Sequence, residues 1–314
     1  SLTIVGADPS GGRAFSGNAV AGGTGGLGAG DGLAGSAGSA AGQDIWFQST
    51  APAGTTLQAP TIAAPAGKTL TLADSIADDG GAGVGLGIGD GGGVNTGTVV
   101  LGGANSFSGG VTVAGGTLSI AADDNLGPAA IALTLGAGIA LALTGSFTFD
   151  HAVAINGDPT FAVAPGQTVT VASAIADGTS AGTLVKTGAG TLILDGFNTY
   201  SGATTISGGT LALGPGGTIE FSSGVGLAAP GAVFDISTGG DQFINDLTGV
   251  AGSKVALGAN ELVLGTANST TFAGVIADGG IGGGSGGSLV KDGTGTLTLT
   301  GANTYTGATI VENG

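Results

Sequence analysis

Apolar residues along the chain recur at every second position, in runs too short for anything but strands. Thr69-Leu70-Thr71-Leu72, Thr98-Val99-Val100-Leu101, Thr191-Leu192-Ile193-Leu194 and Thr210-Leu211-Ala212-Leu213 follow this rule. Period 2 puts one set of side chains on a buried face and the other on an outward one. The runs are punctuated by Gly-Gly, Gly-Ala and Gly-Asp, which predict turns. Ser1-Leu2-Thr3-Ile4-Val5 already reads as a strand. No ten-residue window has helical periodicity, so no helix of consequence is expected. The uncharged stretch 128–147 resembles a membrane span in hydropathy alone. Yet Ile131, Leu133, Leu135 and then Ile139, Leu141, Leu143 alternate with Ala, Thr and Gly. That predicts two short strands joined at Gly136-Ala137-Gly138, not a transmembrane helix.

The runs belong to a larger repeat. Thr98 to Ile120, Thr191 to Leu213 and Thr296 to Ile310 align with one another. Each has an Asn followed two residues later by an aromatic: Asn105 and Phe107, Asn198 and Tyr200, Asn303 and Tyr305. The last two are preceded by Leu184-Val185-Lys186 and Leu289-Val290-Lys291. All three follow an Ile-Ala-Asp element: Ile76-Ala77-Asp78, Ile175-Ala176-Asp177 and Ile276-Ala277-Asp278. The three Asn lie 93 and then 105 residues apart, so the unit has about a hundred residues and a variable length. Short strands, frequent Gly turns and no intervening helix predict an all-β solenoid, a parallel β-helix; an assumed ~22 residues per coil would give roughly 12–14 coils. Inward Leu, Ile and Val stack on like residues, while Thr, Ser and Ala face outward. Gly supplies corners needing positive φ. The Asn is expected at a corner, in the left-handed conformation, with its amide bonding along the stack.

At Gly190 to Leu194, Asn198-Thr199-Tyr200-Ser201-Gly202 and Gly209-Thr210-Leu211, the chain resembles the passenger-associated strand repeat of bacterial autotransporters. Gly295 to Ile310 is similar, and the first copy has Phe107 in place of Tyr and lacks the Leu-Val-Lys lead. Phe15 to Val20, the Gly-rich tract to Gly42, Gln43 to Gln48 and Lys68 to Leu72 resemble Gly-rich inclusions of large autotransporter adhesins. The resemblance implies a right-handed parallel β-helix, export to the outer-membrane surface and a C-terminal translocator barrel. No series of amphipathic barrel strands occurs in the chain, and it has no Met, so it is expected to be a passenger fragment of a longer protein. The predicted organisation is one elongated β-solenoid over 1–314 with Gly-rich loop insertions. A loop or inclusion is predicted at 16–42, and repeat cores near 98–120, 183–213 and 288–314.

Composition narrows the functional classes. Gly makes up 71 of 314 residues, but without a three-residue period, which excludes collagen. Disorder requires low hydrophobicity and high charge, whereas the chain is 41% hydrophobic and only 8% charged. Its 21 acidic and 5 basic residues give a net charge of −16, which opposes contact with nucleic acid or anionic lipid. With no Cys, disulfides and thiol chemistry are excluded.

Candidate chemistry is sparse. His151 is the sole His, adjacent to Asp150; neighbours on a strand face opposite sides, so it is expected as a surface residue outside any triad. Asp78 with Asp79, Asp123 with Asp124, and the set Asp235, Asp241 and Asp246 could act as paired carboxylates or calcium ligands. They sit at turn punctuation, and turns are the expectation. Gly26 to Leu33 matches a calcium nonapeptide only in part, and Asn268-Ser269-Thr270 fits a glycosylation sequon. Trp46 and Phe47 could anchor the base of the Gly-rich tract or, if exposed, form a binding patch. No catalytic, cofactor or metal residue is assigned. The expected function is a non-enzymatic, extracellular adhesin, autoaggregation factor or stalk, with a cell-surface protein or glycan or a second copy as partner. No nucleic acid and no membrane insertion by this segment are expected. The alternative is a repeat protein that self-assembles into an extracellular filament or sheath.

Overall fold

The computed structural model describes residues 3–5, 45–47, 59–78, 85–89, 96–265 and 267–313, divided between two compact units, Ser1–Ala142 and Leu143–Gly314. The predicted inclusion at 16–42 and the Gly26 to Leu33 segment lie outside the described residues. In the first unit, Thr3–Val5, Thr61–Ala63, Leu86–Ile88, Val111–Val113 and Leu133–Leu135 are successive parallel neighbours. Thr69–Leu72, Thr98–Leu101 and Thr117–Ile120 form a second parallel series, and Ile45–Phe47 pairs with Ile76–Asp78. Spatial order follows chain order, so each strand pairs with its counterpart one coil later. This is a parallel β-solenoid.

The second unit repeats the plan. One sheet runs Phe147–Phe149, Thr168–Val171, Thr191–Leu194, Thr210–Leu213, Val233–Asp235, Lys254–Ala256 and Val275–Ala277. A second contains Thr160–Val163, Leu184–Thr187, Thr204–Ile206, Gly224–Leu227, Asp246–Gly249, Thr270–Phe272 and Leu297–Leu299. A third stacks Gln242–Ile244, Glu261–Gly265, Ser288–Asp292 and Thr309–Val311. Coil length varies within the unit. Thr191 stands opposite Thr210, 19 residues on, and Thr270 opposite Leu297, 27 residues on.

Alternation produces the core. Val169, Leu192, Leu211, Phe234, Val255 and Ile276 are register partners in succession, and all are buried. Each contributes roughly 1.5–3 kcal/mol through removal of apolar surface from water. Thr168, Thr191 and Thr210 form a ladder on the outward parity of the same strands. Corners need glycine where coils touch: Gly188 has φ +74°, and a Cβ there would strike the Val163 carbonyl oxygen.

The uncharged stretch contains strands Leu133–Leu135 and Ala140–Leu143, with Gly138 at φ +67° between them. Helix among the described residues is confined to a single 3-10 turn, Asp123–Leu126. No helix of the described residues is long and apolar enough to cross a membrane. One expectation is overturned: no non-glycine residue described here has positive φ, so the repeat Asn is not left-handed. Its side chain reaches the neighbouring coil from ordinary backbone.

Candidate functional site

The repeated Asn and the preceding Ile-Ala-Asp form one clasp between adjacent coils. The Asn198 Oδ1 accepts the Ile175 N–H at 2.9 Å, and its Nδ2 donates to the carbonyls of Gly196 at 2.8 Å and Thr218 at 3.0 Å. Asn105 Oδ1 accepts the Ile76 N–H at 2.7 Å and its Nδ2 donates to the Asn125 carbonyl. Asn303 Oδ1 accepts the Ile276 N–H at 2.9 Å. The Asp of each element completes the clasp from the other side. Asp78 Oδ2 accepts both the N–H and the hydroxyl of Ser108 at 2.7 Å. Asp177 accepts the Ser201 N–H at 3.1 Å and hydroxyl at 2.7 Å; Asp278 accepts the same two groups of Thr306 at 3.2 and 2.6 Å. Desolvation is the largest single influence on the Asp177 carboxyl and pushes it up, but hydrogen bonds from the Ser201 hydroxyl and the Gly182 and Ser201 N–H groups together outweigh it and hold the carboxyl below its ordinary value. The Thr306 hydroxyl leads in doing the same for Asp278.

The aromatic of the repeat has a partner four residues later. The Tyr200 hydroxyl lies 2.7 Å from Thr204 Oγ1, which bonds in turn to Ser222 Oγ at 3.0 Å. Tyr305 pairs with Thr309 in the same way. The first copy has Phe107 and Val111, both buried. Phenol and hydroxyl are therefore exchanged together for apolar groups, because a buried hydroxyl without a partner is costly. Lys186 is fully buried, and its ammonium donates to the carbonyls of Thr187, Gly188 and Gly208 at 2.8, 3.0 and 3.1 Å. Burial pushes its pKa down to about 8.

The carboxylates singled out in the sequence are dispersed. Asp79 lies outside the described residues. Asp123 and Asp124 sit in the 3-10 turn. Asp235 is buried and accepts from the Ser237 N–H and hydroxyl and the Ile281 N–H, at 2.6–2.9 Å. Asp241 accepts the Glu261 N–H at 2.7 Å, and Asp246 accepts from Asn268 at 2.8 Å. Among the described residues no group of three or more His, Asp or Glu gathers to hold a metal ion. His151, expected at the surface, is fully buried. It shares parity with Phe149, and their rings meet edge-on with centroids 5.3 Å apart. The backbone of Trp46 and Phe47 pairs with Ala77 and Asp78; their side chains lie outside the described residues.

A surface feature went unnoticed in the sequence. Phe197 and Phe221 are 54% and 50% exposed, and their rings meet edge-on with centroids 5.7 Å apart. Phe243 is 38% exposed. The segments bearing them stack in consecutive coils: Phe197 bridges to Thr218, and Gln242 and Asn245 donate to the Gly217 and Ser222 carbonyls. The signal was present, since Phe197 occupies the position held by Ala104 and Ala302 in the other repeats. The repeat architecture does not require a large ring there.

The comparisons with known proteins agree with this geometry. The passenger-associated-transport-repeat family matches at residues 94–120, 184–213 and 289–314, the three segments that carry the clasp Asn. The chain is 36% identical over 261 residues to the adhesin BmaC autotransporter of Brucella suis biovar 1 (strain 1330). That alignment covers 78% of this chain and 7% of the relative, so the chain spans a small part of the length of the protein it matches. No solved structure matches it significantly.

Proposed function

We propose that this chain, which belongs to the autotransporter passenger domains and is exported to the cell surface, acts there without catalysis as an adhesin, autoaggregation factor or stalk. The observation that carries the reading is the repeated clasp. The distinctive polar residues of the repeats bond one coil to the next: Asn to the Ile N–H, Asp to Ser or Thr. They are structural acceptors, which leaves function to the outward surface. Continuous parallel pairing resists bending, and contacts repeated along such a surface gain strength by multivalency. The relative's name as an adhesin supports the adhesive half of the reading.

Beads coated with the purified chain test it, scored for attachment to host cells, matrix proteins, glycan arrays and one another. Attachment above uncoated beads is expected. Failure on every surface removes the adhesin and autoaggregation roles and leaves the stalk. Turnover in a polysaccharide hydrolase or lyase screen would overturn the non-enzymatic reading. Ordered fibres in negative stain would favour the filament alternative.

A further inference from the structure

We infer that the exposed pair Phe197 and Phe221, with Phe243 on the following coil, is a docking surface for a basic, apolar polypeptide segment. The inference rests on the adhesive reading above and names the partner chemistry. These rings depart from the rest of the second unit, where Phe149, Phe161, Phe234 and Phe272 are buried and Phe147 is half-buried. Phe197 and Phe221 instead expose about half their surface while holding each other in a fixed edge-on pair. Rings so held lose little freedom on binding, and exposed aromatic clusters mark contact sites.

Charge selects the partner. Each ring has a carboxylate within two residues along the chain: Asp195 for Phe197, Glu220 for Phe221 and Asp241 for Phe243. No cation of this unit answers them. Lys186 and Lys291 direct their ammonium groups onto backbone carbonyls, and Lys254 stands between Val233 and Val275, three strands along the sheet from the Thr191–Leu194 strand that Asp195 follows. Phenylalanine itself carries no hydrogen-bonding group. Its face does attract Lys and Arg, whose aliphatic stems also cover apolar surface. Exposed aromatic rings with carboxylates close along the chain, two of them held by backbone N–H groups rather than by a cation, therefore fit a partner strand carrying Lys or Arg among apolar residues. A second copy of this chain, with 5 basic against 21 acidic residues, does not supply such a basic segment to this surface.

Titration calorimetry of the whole chain tests this with three probes: a short synthetic peptide of alternating Leu and Lys, its Leu and Glu counterpart, and a neutral glucan oligosaccharide. The Leu and Lys peptide should bind, and more weakly as salt rises. The double substitution Phe197→Ser with Phe221→Ser should raise its Kd by about tenfold or more, since truncating central aromatic contacts has effects of this size. Glu220→Lys should weaken it in the same direction, and serves as the independent variant if the double substitution alters the circular dichroism spectrum. An unchanged Kd in a folded Phe variant would mean attraction by net charge alone and overturns the proposal. Equal binding of the Leu and Glu peptide overturns it too, as does ring-dependent binding of the oligosaccharide without the basic peptide. The bead assay separates the two levels. Adhesion that survives loss of the rings refutes the docking surface and keeps the adhesin. Ring-dependent peptide binding without bead adhesion does the reverse.

Discussion

Replacing Asn198 should open one coil boundary without touching the apolar core. Its side chain is 1% exposed and makes three hydrogen bonds of 2.8–3.0 Å to the backbone of its own and adjoining coils. Each such bond contributes about 1 kcal/mol net, and the buried Ile175 N–H left without an acceptor costs a further 1–3 kcal/mol or so. Asn198→Ala should therefore destabilise the second unit by about 4–6 kcal/mol. Asn198→Asp keeps the shape and the acceptor for Ile175, but turns a carboxylate oxygen toward the Gly196 and Thr218 carbonyls. Near neutral pH it should cost at least as much as Ala. The new carboxyl is favoured in its neutral form in the native state, so the native protein takes up the proton first as pH falls. The penalty relative to wild type should then shrink as pH falls through the raised native pKa. Urea unfolding followed by circular dichroism reads the stability, and hydrogen exchange at the Ile175 amide reads the local opening, which matters because solenoid coils can open separately. An Asn198→Ala variant within about 0.5 kcal/mol of wild type, with Ile175 still protected, would refute the clasp.

Three further outcomes follow from the same geometry. Tyr200→Phe and Thr204→Val should each cost about 1–2 kcal/mol, and the double variant, which copies Phe107 and Val111, less than their sum; strict additivity in urea unfolding would refute the hydroxyl pairing. Gly166 and Gly188 have φ of +73° and +74°, but an added Cβ meets nothing at Gly166 and the Val163 carbonyl at Gly188. Ala should therefore cost about 1–2 kcal/mol at Gly166 and about 3 or more at Gly188 by thermal unfolding; equal costs would remove the steric argument. Stability should also rise with pH from about 8 toward 10, because native Lys186 has lost a proton that the unfolded chain still holds. Above about pH 10 it should fall, since burial pushes the Tyr200 phenol far up while the unfolded phenol ionises. Lys186→Met should abolish the rising limb, and its persistence would assign that limb to another group.

Much of the solenoid is legible because its determinants are local. Alternation in Thr191 to Leu194 sets which side chains face inward, and the glycines between runs set the corners. The three repeats show themselves by simple self-comparison, and their lead element, Ile-Ala-Asp, is visible too. Its partnership with Asn is not. The N–H of Ile76 meets Asn105, that of Ile175 meets Asn198 and that of Ile276 meets Asn303, spans of 29, 23 and 27 residues. Loops of different length intervene, so spacing alone does not identify the pair.

The same limit governs the polar residues on inward parity. Lys186 shares a face with Leu184, yet an ammonium can be buried there only because three carbonyls converge on it. His151 is buried through its packing on Phe149, and the repeat Asn keeps ordinary backbone because the next coil supplies its partners. The pattern of residues along the chain determined the strands, their inward faces and the repeat. The stacking of coils decided which polar groups meet, and it alone shows Phe197 and Phe221 as a pair, because parity is a property of one strand and contact is a property of two.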